Sequence, residues 1–511
     1  MMNYNSRTIK AGFIETVHES TAEQSLDADI SLPDYCPEII KILKCSVEPD
    51  ITSVSNNSGR ITADVSVSVR LLYVGENGKV SAYEQNYPVQ KFIESNRITS
   101  DSAVSLKIRT DYANCRAVNP RRVDVRAMMT FIFRAVNKRE EHLLCGADGC
   151  GIQTVTDEEN VASLCGINER AFSLSEVVNI PDDRPSVNRI VSISPHTVIS
   201  ELRVINNKAL LKGDCNVKIY YLSDESSSVE YIEHSVPISQ ILELDGLNEN
   251  CKTGIKLSFS SCEAAAKADS SGDMRLVDFN ARINAFITAY EEIPVSFITD
   301  AYSTLYETKN TFKNIELMKY GDDFDVNFTN KVVLESIGVS VNSVMAVWCT
   351  DLRYDFSSSD DKCNISGTYQ ANILYKDNEN QTGIIQKPVD FDYSLKMNGK
   401  AEKIHCNGYV QIVSCSCAVT GDSRLEMKTE LSGKGMLLYC GMKKYISSIE
   451  LLNENKKKDN CALTICFCDK GENLWNIARK YNTTVEAVRA ENDIECDVVE
   501  ENCMLLIPSD N

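Results

Sequence analysis

The sequence predicts a mainly β protein: repeated sandwich- or barrel-like units, closed by a small C-terminal α+β domain of βααβ order. Three observations predict it. One pattern of nine alternating positions occurs three times, at spacings of 148 and 154 residues. Few stretches between the copies carry the three-and-four-residue apolar period of a helix. After a polar break at residues 453–460, the patterning changes to strand, helix, helix, strand.

The repeat is carried by "ADVSVSVRLLYV" (Ala63 to Val74), "KGDCNVKIYYL" (Lys212 to Leu222) and "SGTYQANILYK" (Ser366 to Lys376), which align without gaps. Val65, Val67, Val69, Leu71 and Tyr73 share one face, because side chains alternate across a strand. Their counterparts are Gly213, Cys215, Val217, Ile219 and Tyr221, then Gly367, Tyr369, Ala371, Ile373 and Tyr375. Downstream, each copy has a proline before an aliphatic residue (Pro88-Val89, Pro237-Ile238, Pro388-Val389) and then a cysteine (Cys115, Cys262, Cys415). Upstream, "LPDYCPEIIKIL" (Leu32 to Leu43) matches "IPDDRPSVNRIV" (Ile180 to Val191), and each reads as a strand-stopping proline followed by a short helix-like segment. The third copy keeps only "SVNSVM" (Ser340 to Met345), with Glu335 and Val339 where the second has Pro181 and Pro185.

Other segments complete the three units. Glu76-Asn77-Gly78-Lys79 reads as a hairpin turn. "VRAMMTFIFRAV" (Val125 to Val136) and "FNARINAFITAY" (Phe279 to Tyr290) read as closing strands, and "CGADGCG" (Cys145 to Gly151) as an inter-domain turn. The expected domains are residues 1–150, 166–298 and 299–452, the last opening with a connector around "DAYSTLYETKNTF" (Asp300 to Phe312). A linker follows at 453–460, and a small domain at 461–511.

In that domain "LTICFCD" alternates as a strand. Leu474, Ile477, Ala478 and Tyr481 then fall on one face of a short helix. Thr484 is an N-cap candidate for a second helix, Val485 to Glu491, ended by Asn492, and "MLLIP" is a strand stopped at Pro508.

Composition limits the chemistry. The 511-residue chain is 43% hydrophobic and 25% charged, with a net charge of -20. Without a basic stripe to release counterions from phosphate, no nucleic-acid partner is expected. Residues 1–20 lack the apolar run of a signal peptide, and no stretch reaches the roughly 20 apolar residues of a membrane span, so a cytoplasmic protein is expected. The 20 cysteines are then expected as reduced, mostly packed thiols. Cys415 and Cys417, like Cys466 and Cys468, share a strand face, but the five histidines offer no ligand spacing, so no metal is expected. His405 and Cys406 point to opposite faces, and no phosphate loop, nucleophile elbow or metalloprotease helix is present. Neither an enzyme nor a cofactor is expected.

Two resemblances extend this reading. Asp469 to Ala478, "DKGENLWNIA", with Lys480-Tyr481, Val485, Asn492 and Leu506-Ile507-Pro508, resembles the LysM family, with Asn502 where that family commonly has glycine. The repeats and the "DAYS" segment resemble the SPOCS domain of bacterial sporulation and spore-coat morphogenetic proteins. This resemblance implies a coat-assembly scaffold in the mother-cell cytoplasm, at the outer forespore surface. Its LysM module would dock onto the coat's basement-layer ATPase (SpoIVA-like). A peptidoglycan or N-acetylglucosamine-containing glycan is the alternative ligand, for a protein of the cortex or wall. Either ligand would meet Asp469, Lys470, Gly471, Glu472, Asn473, Leu474 and Trp475 from one loop, and Asn492, Asp493 and Ile494 from another. Trp475 reads either as a core residue or as a contact.

Overall fold

Each repeat folds as six strands in two three-stranded antiparallel sheets, so the sandwich is the form adopted. The computed structural model describes residues 4–223, 229–244, 246–335, 338–401, 403–421, 424–456 and 463–508. The first unit has β1 (Asn5–Ser31), β2 (Ile39–Asn56), β3 (Arg60–Gly75), β4 (Val80–Glu94), β5 (Ala103–Asn119) and β6 (Arg122–Asp148). Its sheets run β1-β6-β5 and β2-β3-β4. The second has β7 (Ile152–Asn179), β8 (Val187–Ile205), β9 (Lys208–Ser223), β10 (Val229–Glu243), β11 (Lys252–Lys267) and β12 (Leu276–Ser303), ordered β7-β12-β11 and β8-β9-β10. The third repeats this with β13 (Tyr306–Leu334), β14 (Ser343–Ser359), β15 (Lys362–Lys376), β16 (Thr382–Lys396), β17 (Lys403–Gly421) and β18 (Arg424–Lys456).

The repeated sequence segments are the central strands β3, β9 and β15. Their apolar face lies in the core of each sandwich, where Tyr73, Tyr221 and Tyr369 are among the largest fully buried side chains. Pro88, Pro237 and Pro388 lie on β4, β10 and β16, the edge strands, where a missing N–H costs no ladder bond. Gly213 and Gly367 stand where the first unit has Val65. A Cβ there would come within 2.2 Å of the Val198 carbonyl and 2.1 Å of the Arg353 carbonyl, beside bulges in β8 and β14.

Four expectations are corrected. The helix-like segments after Pro37 and Pro185 are the starts of β2 and β8, which lie against the central strands. Their β-branched residues suit that pleat. "DAYS" is the end of β12, and the chain turns at Thr304–Leu305 directly into β13, so no separate connector intervenes. β7 already begins at Ile152, upstream of residue 166, after a turn at Gly149, Cys150 and Gly151 with φ of 101°, 52° and 64°. Of the expected linker, 453–456 belong to β18, while 457–460 lie outside the described residues.

The three units meet around a pseudo-threefold arrangement. Phe13, Val161 and Ile315, spaced like the repeat, are buried in one inter-unit cluster formed by the long-stranded sheets. Leu72, Tyr220 and Leu374, also spaced like the repeat, are buried in a second cluster formed by the short-stranded sheets. Polar contacts register the units against each other. The Gly12 N–H donates to Ser163 Oγ at 2.8 Å, Tyr220 Oη to the Val347 carbonyl at 2.7 Å, and Lys44 Nζ to Asn372 Oδ1 at 2.7 Å. Each fully buried apolar side chain in these clusters contributes about 1.5–3 kcal/mol. The described residues include no helix long and apolar enough to cross a membrane.

Candidate functional site

The C-terminal domain is built from β19 (Leu463–Cys468), α1 (Leu474–Lys480), α2 (Val485–Asn492) and β20 (Cys503–Pro508), with β19 and β20 paired antiparallel. Local chemistry fixes both helix starts. The Asn473 side chain accepts from the Trp475 N–H at 2.8 Å, and Thr484 Oγ1 from the Ala487 N–H at 3.0 Å. Asp493, in the left-handed region at φ 51°, ends α2.

The first expected loop, Asp469 to Asn473, is laced to the segment before β20. The Gly471 N–H donates to the Val499 carbonyl at 2.8 Å, the Val499 N–H to the Glu472 carbonyl at 2.9 Å, and the Leu474 N–H to the Asp497 carbonyl at 2.9 Å. Asn502, the departure from the LysM pattern, accepts from the Lys470 N–H at 2.8 Å, so it too holds this loop. Asp469, Lys470, Gly471, Glu472 and Asn473 are all exposed, as is Asp493 in the second loop.

The other expected residues have structural work. Leu474 is 1% exposed, in the domain core with Ile477, Ala478, Val488, Leu505 and Ile507. Asn492 acts as a clamp: its Oδ1 accepts from the Leu506 N–H at 2.7 Å, while its Nδ2 donates to the Leu506 and Val488 carbonyls. Ile494 is half-buried against the same core.

Trp475 is half-buried and faces the second repeat. Its Nε1 donates to Asp300 Oδ2 at 2.9 Å, and its ring meets the Tyr302 edge at 4.7 Å between centroids. Tyr302, on the last turn of pleat in β12, is 3% exposed and enters the small domain's own core. Its hydroxyl donates to the Thr483 carbonyl at 2.8 Å, and Arg479 pairs with Asp300.

Sequence reasoning missed a second surface. On the side of the ribbon away from the helices, Ile465 is 59%, Phe467 80% and Met504 62% exposed, and Phe467 pairs with Met504 across the strands. "LTICFC" is apolar at both parities, and that was the available signal. The charge around it is acidic: residues 461–511 hold ten acidic and four basic residues. Two of those four are spent on acids, Arg479 on Asp300 and Arg489 on Asp497. On the opposite, buried face of β19, burial pushes the Cys468 thiol up to about 12, beside Cys466 with 3.4 Å between sulfurs. Among the described residues, no group of three or more His, Cys, Asp or Glu side chains is placed to hold a metal.

The family model described as "SipL, SPOCS domain" matches residues 38–118 and 186–267, and the LysM domain model matches 469–508. The chain carries two SPOCS-domain matches and one LysM-domain match. The two SPOCS matches span β2 to β5 and β8 to β11, and β14 to β17 repeat that order in the third unit. SipL-type SPOCS domains joined to LysM mark a sporulation-related LysM protein. No curated protein and no solved structure gives a significant match to the chain.

Proposed function

We propose that this protein is a non-enzymatic scaffold of spore-coat assembly, working in the mother-cell cytoplasm at the outer forespore surface. In this reading its LysM domain docks onto the coat's basement-layer ATPase. The observation that carries the proposal is the mounting of the LysM domain. Its signature tryptophan is turned inward onto Asp300 and Tyr302, and what it offers outward is an apolar ribbon face with an acidic loop beside it. An exposed Phe467 with Ile465 and Met504 is the kind of apolar anchor that protein interfaces bury, and depleted positive charge suits a basic or neutral protein surface. The three-unit body would hold the domain at a fixed place, as a scaffold requires.

Glycan binding is the second reading. The LysM match itself favours it, and the exposed residues Asp469 to Asn473 and Asp493 would supply the polar contacts. Tagging the chain in sporulating cells separates the two. Removing Lys458 to Asn511 should leave the three-unit body folded but diffuse in the mother cell. A truncated chain that still encircles the forespore contradicts LysM-mediated docking.

A further inference from the structure

We propose that Cys349 and Cys415 form a redox-responsive dithiol, closing into a disulfide between the two sheets of the third unit when a small peroxide enters the cleft that both line. The placement is specific. Cys349 lies on β14, opposite Ala371, and Cys415 on β17, opposite Thr429, so the thiols belong to different sheets of one sandwich. Where β14 meets β17, Cys415 Sγ lies 3.5 Å from the Val347 carbonyl, two residues from Cys349. The two thiols are near enough to shift each other's ionisation in opposite directions. Both line a cleft of about 550 Å³ between the units, together with Lys218. A small oxidant can therefore reach a pair that is otherwise largely enclosed.

The chemistry divides the roles. The neighbouring Cys349 thiol draws the Cys415 thiol below its usual value against the effect of burial, and the Lys218 ammonium acts in the same direction. The Cys415 sulfur beside it, together with burial, raises Cys349. Cys415 is thus the nucleophile and Cys349 the resolving thiol. The Cys415 thiolate attacks one oxygen of hydrogen peroxide, the O–O bond breaks, and hydroxide leaves and is protonated to water. Cys349 sulfur then attacks the resulting sulfenic sulfur, the S–O bond breaks, and a second water departs with the Cys349 proton. Two thiols lose two electrons, and one peroxide becomes two waters.

The first unit carries a related pair, its β2 cysteine two residues from the position that matches Cys349. Cys45 on β2 and Cys115 on β5, the counterparts of β14 and β17, also shift each other in opposite directions, and again the β5-side thiol is the lowered one. The second unit has Cys262 on β11 but, on β8, Ile193 at the position of Cys45 and Pro195 at that of Cys349, so it carries half of the pair.

The test oxidises the full chain with hydrogen peroxide, alkylates it and maps the peptides. The expected result is a Cys349–Cys415 linked peptide lighter by two hydrogens, about 2 Da, and lost on treatment with dithiothreitol. Cys349→Ser should leave Cys415 as a sulfenic acid that dimedone traps, whereas Cys415→Ser should leave Cys349 unmodified. The exposed thiols Cys496 and Cys503 report, in the same digest, that the oxidant acted. Their oxidation without a Cys349–Cys415 link, in wild-type protein of unchanged circular dichroism, overturns the proposal. A link from Cys415 to any other cysteine overturns it equally, and both outcomes are read on wild-type protein whether or not the serine variants fold.

Discussion

The indole N–H of Trp475 donates to the carboxylate of Asp300 at 2.9 Å, across 175 residues of chain. With Tyr302 beneath the ring and Arg479 on the same carboxylate, this contact mounts the LysM domain on the end of β12. A small βααβ domain has a thin core of its own, and Tyr302 adds a large buried ring to it. Tyr302→Ala should therefore cost about 3–5 kcal/mol. Only two tryptophans are present, so in a Trp348→Phe background the fluorescence reports Trp475 alone. Its emission should shift to the red in Tyr302→Ala, and by less in Asp300→Asn.

Within the LysM domain, two neighbours should respond in opposite directions. Asn492→Ala leaves the Leu506 N–H and two carbonyls without the clamp, and should cost about 1–3 kcal/mol. Asp493→Gly replaces a residue held at φ 51° with one that adopts that region freely, and should stabilise the domain by up to about 1 kcal/mol. Denaturant titration followed by Trp475 fluorescence measures both.

How much of this was legible in the sequence differs by feature. The central strands β3, β9 and β15 were, because a pleat writes its period directly into residue order. Both LysM helices were, because Thr484 and the apolar spacing of α1 are local signals. The segments after Pro37 and Pro185 were misread as helix-like, because short apolar runs look alike in both states until a partner strand is known. The union of Leu72, Tyr220 and Leu374 joins residues far apart in the chain, and no local pattern encodes it. Trp475 stayed ambiguous for the same reason: its partners lie in "DAYS", which read as a connector.

The inter-unit clusters should govern global stability. Leu374 is fully buried where the three short-stranded sheets meet, so Leu374→Ala should lose about 2–5 kcal/mol. An equally buried residue facing only one sandwich, such as Ile365, should weaken its own unit without loosening the other two. Hydrogen exchange mapped by unit tests the difference.

Stability should fall as pH rises through neutrality. Burial pushes Glu169 from the ordinary carboxylate value up to about 8, and its Oε2 has no hydrogen-bond partner. The folded chain thus holds a proton that the unfolded chain has released, so unfolding becomes easier between about pH 4.5 and 8. Asp50, raised to about 7 chiefly by burial, acts in the same sense, whereas Lys256, lowered to about 8 chiefly by burial, acts oppositely and above that pH. Glu169→Gln should flatten the fall. Thermal melts at pH 5, 6, 7 and 8 would show an unchanged slope if the carboxyl titrates normally.

The most direct test of the scaffold reading offers the purified full chain to two ligands: the coat basement-layer ATPase and insoluble peptidoglycan. Phe467→Glu, which charges the apolar ribbon face, is compared with an Asn473→Ala, Asp493→Ala double variant. The scaffold reading predicts capture by the ATPase, loss of that capture with Phe467→Glu, and no retention on peptidoglycan. Retention on peptidoglycan alone, abolished by the double variant and indifferent to Phe467→Glu, would contradict it and make the LysM domain a glycan binder.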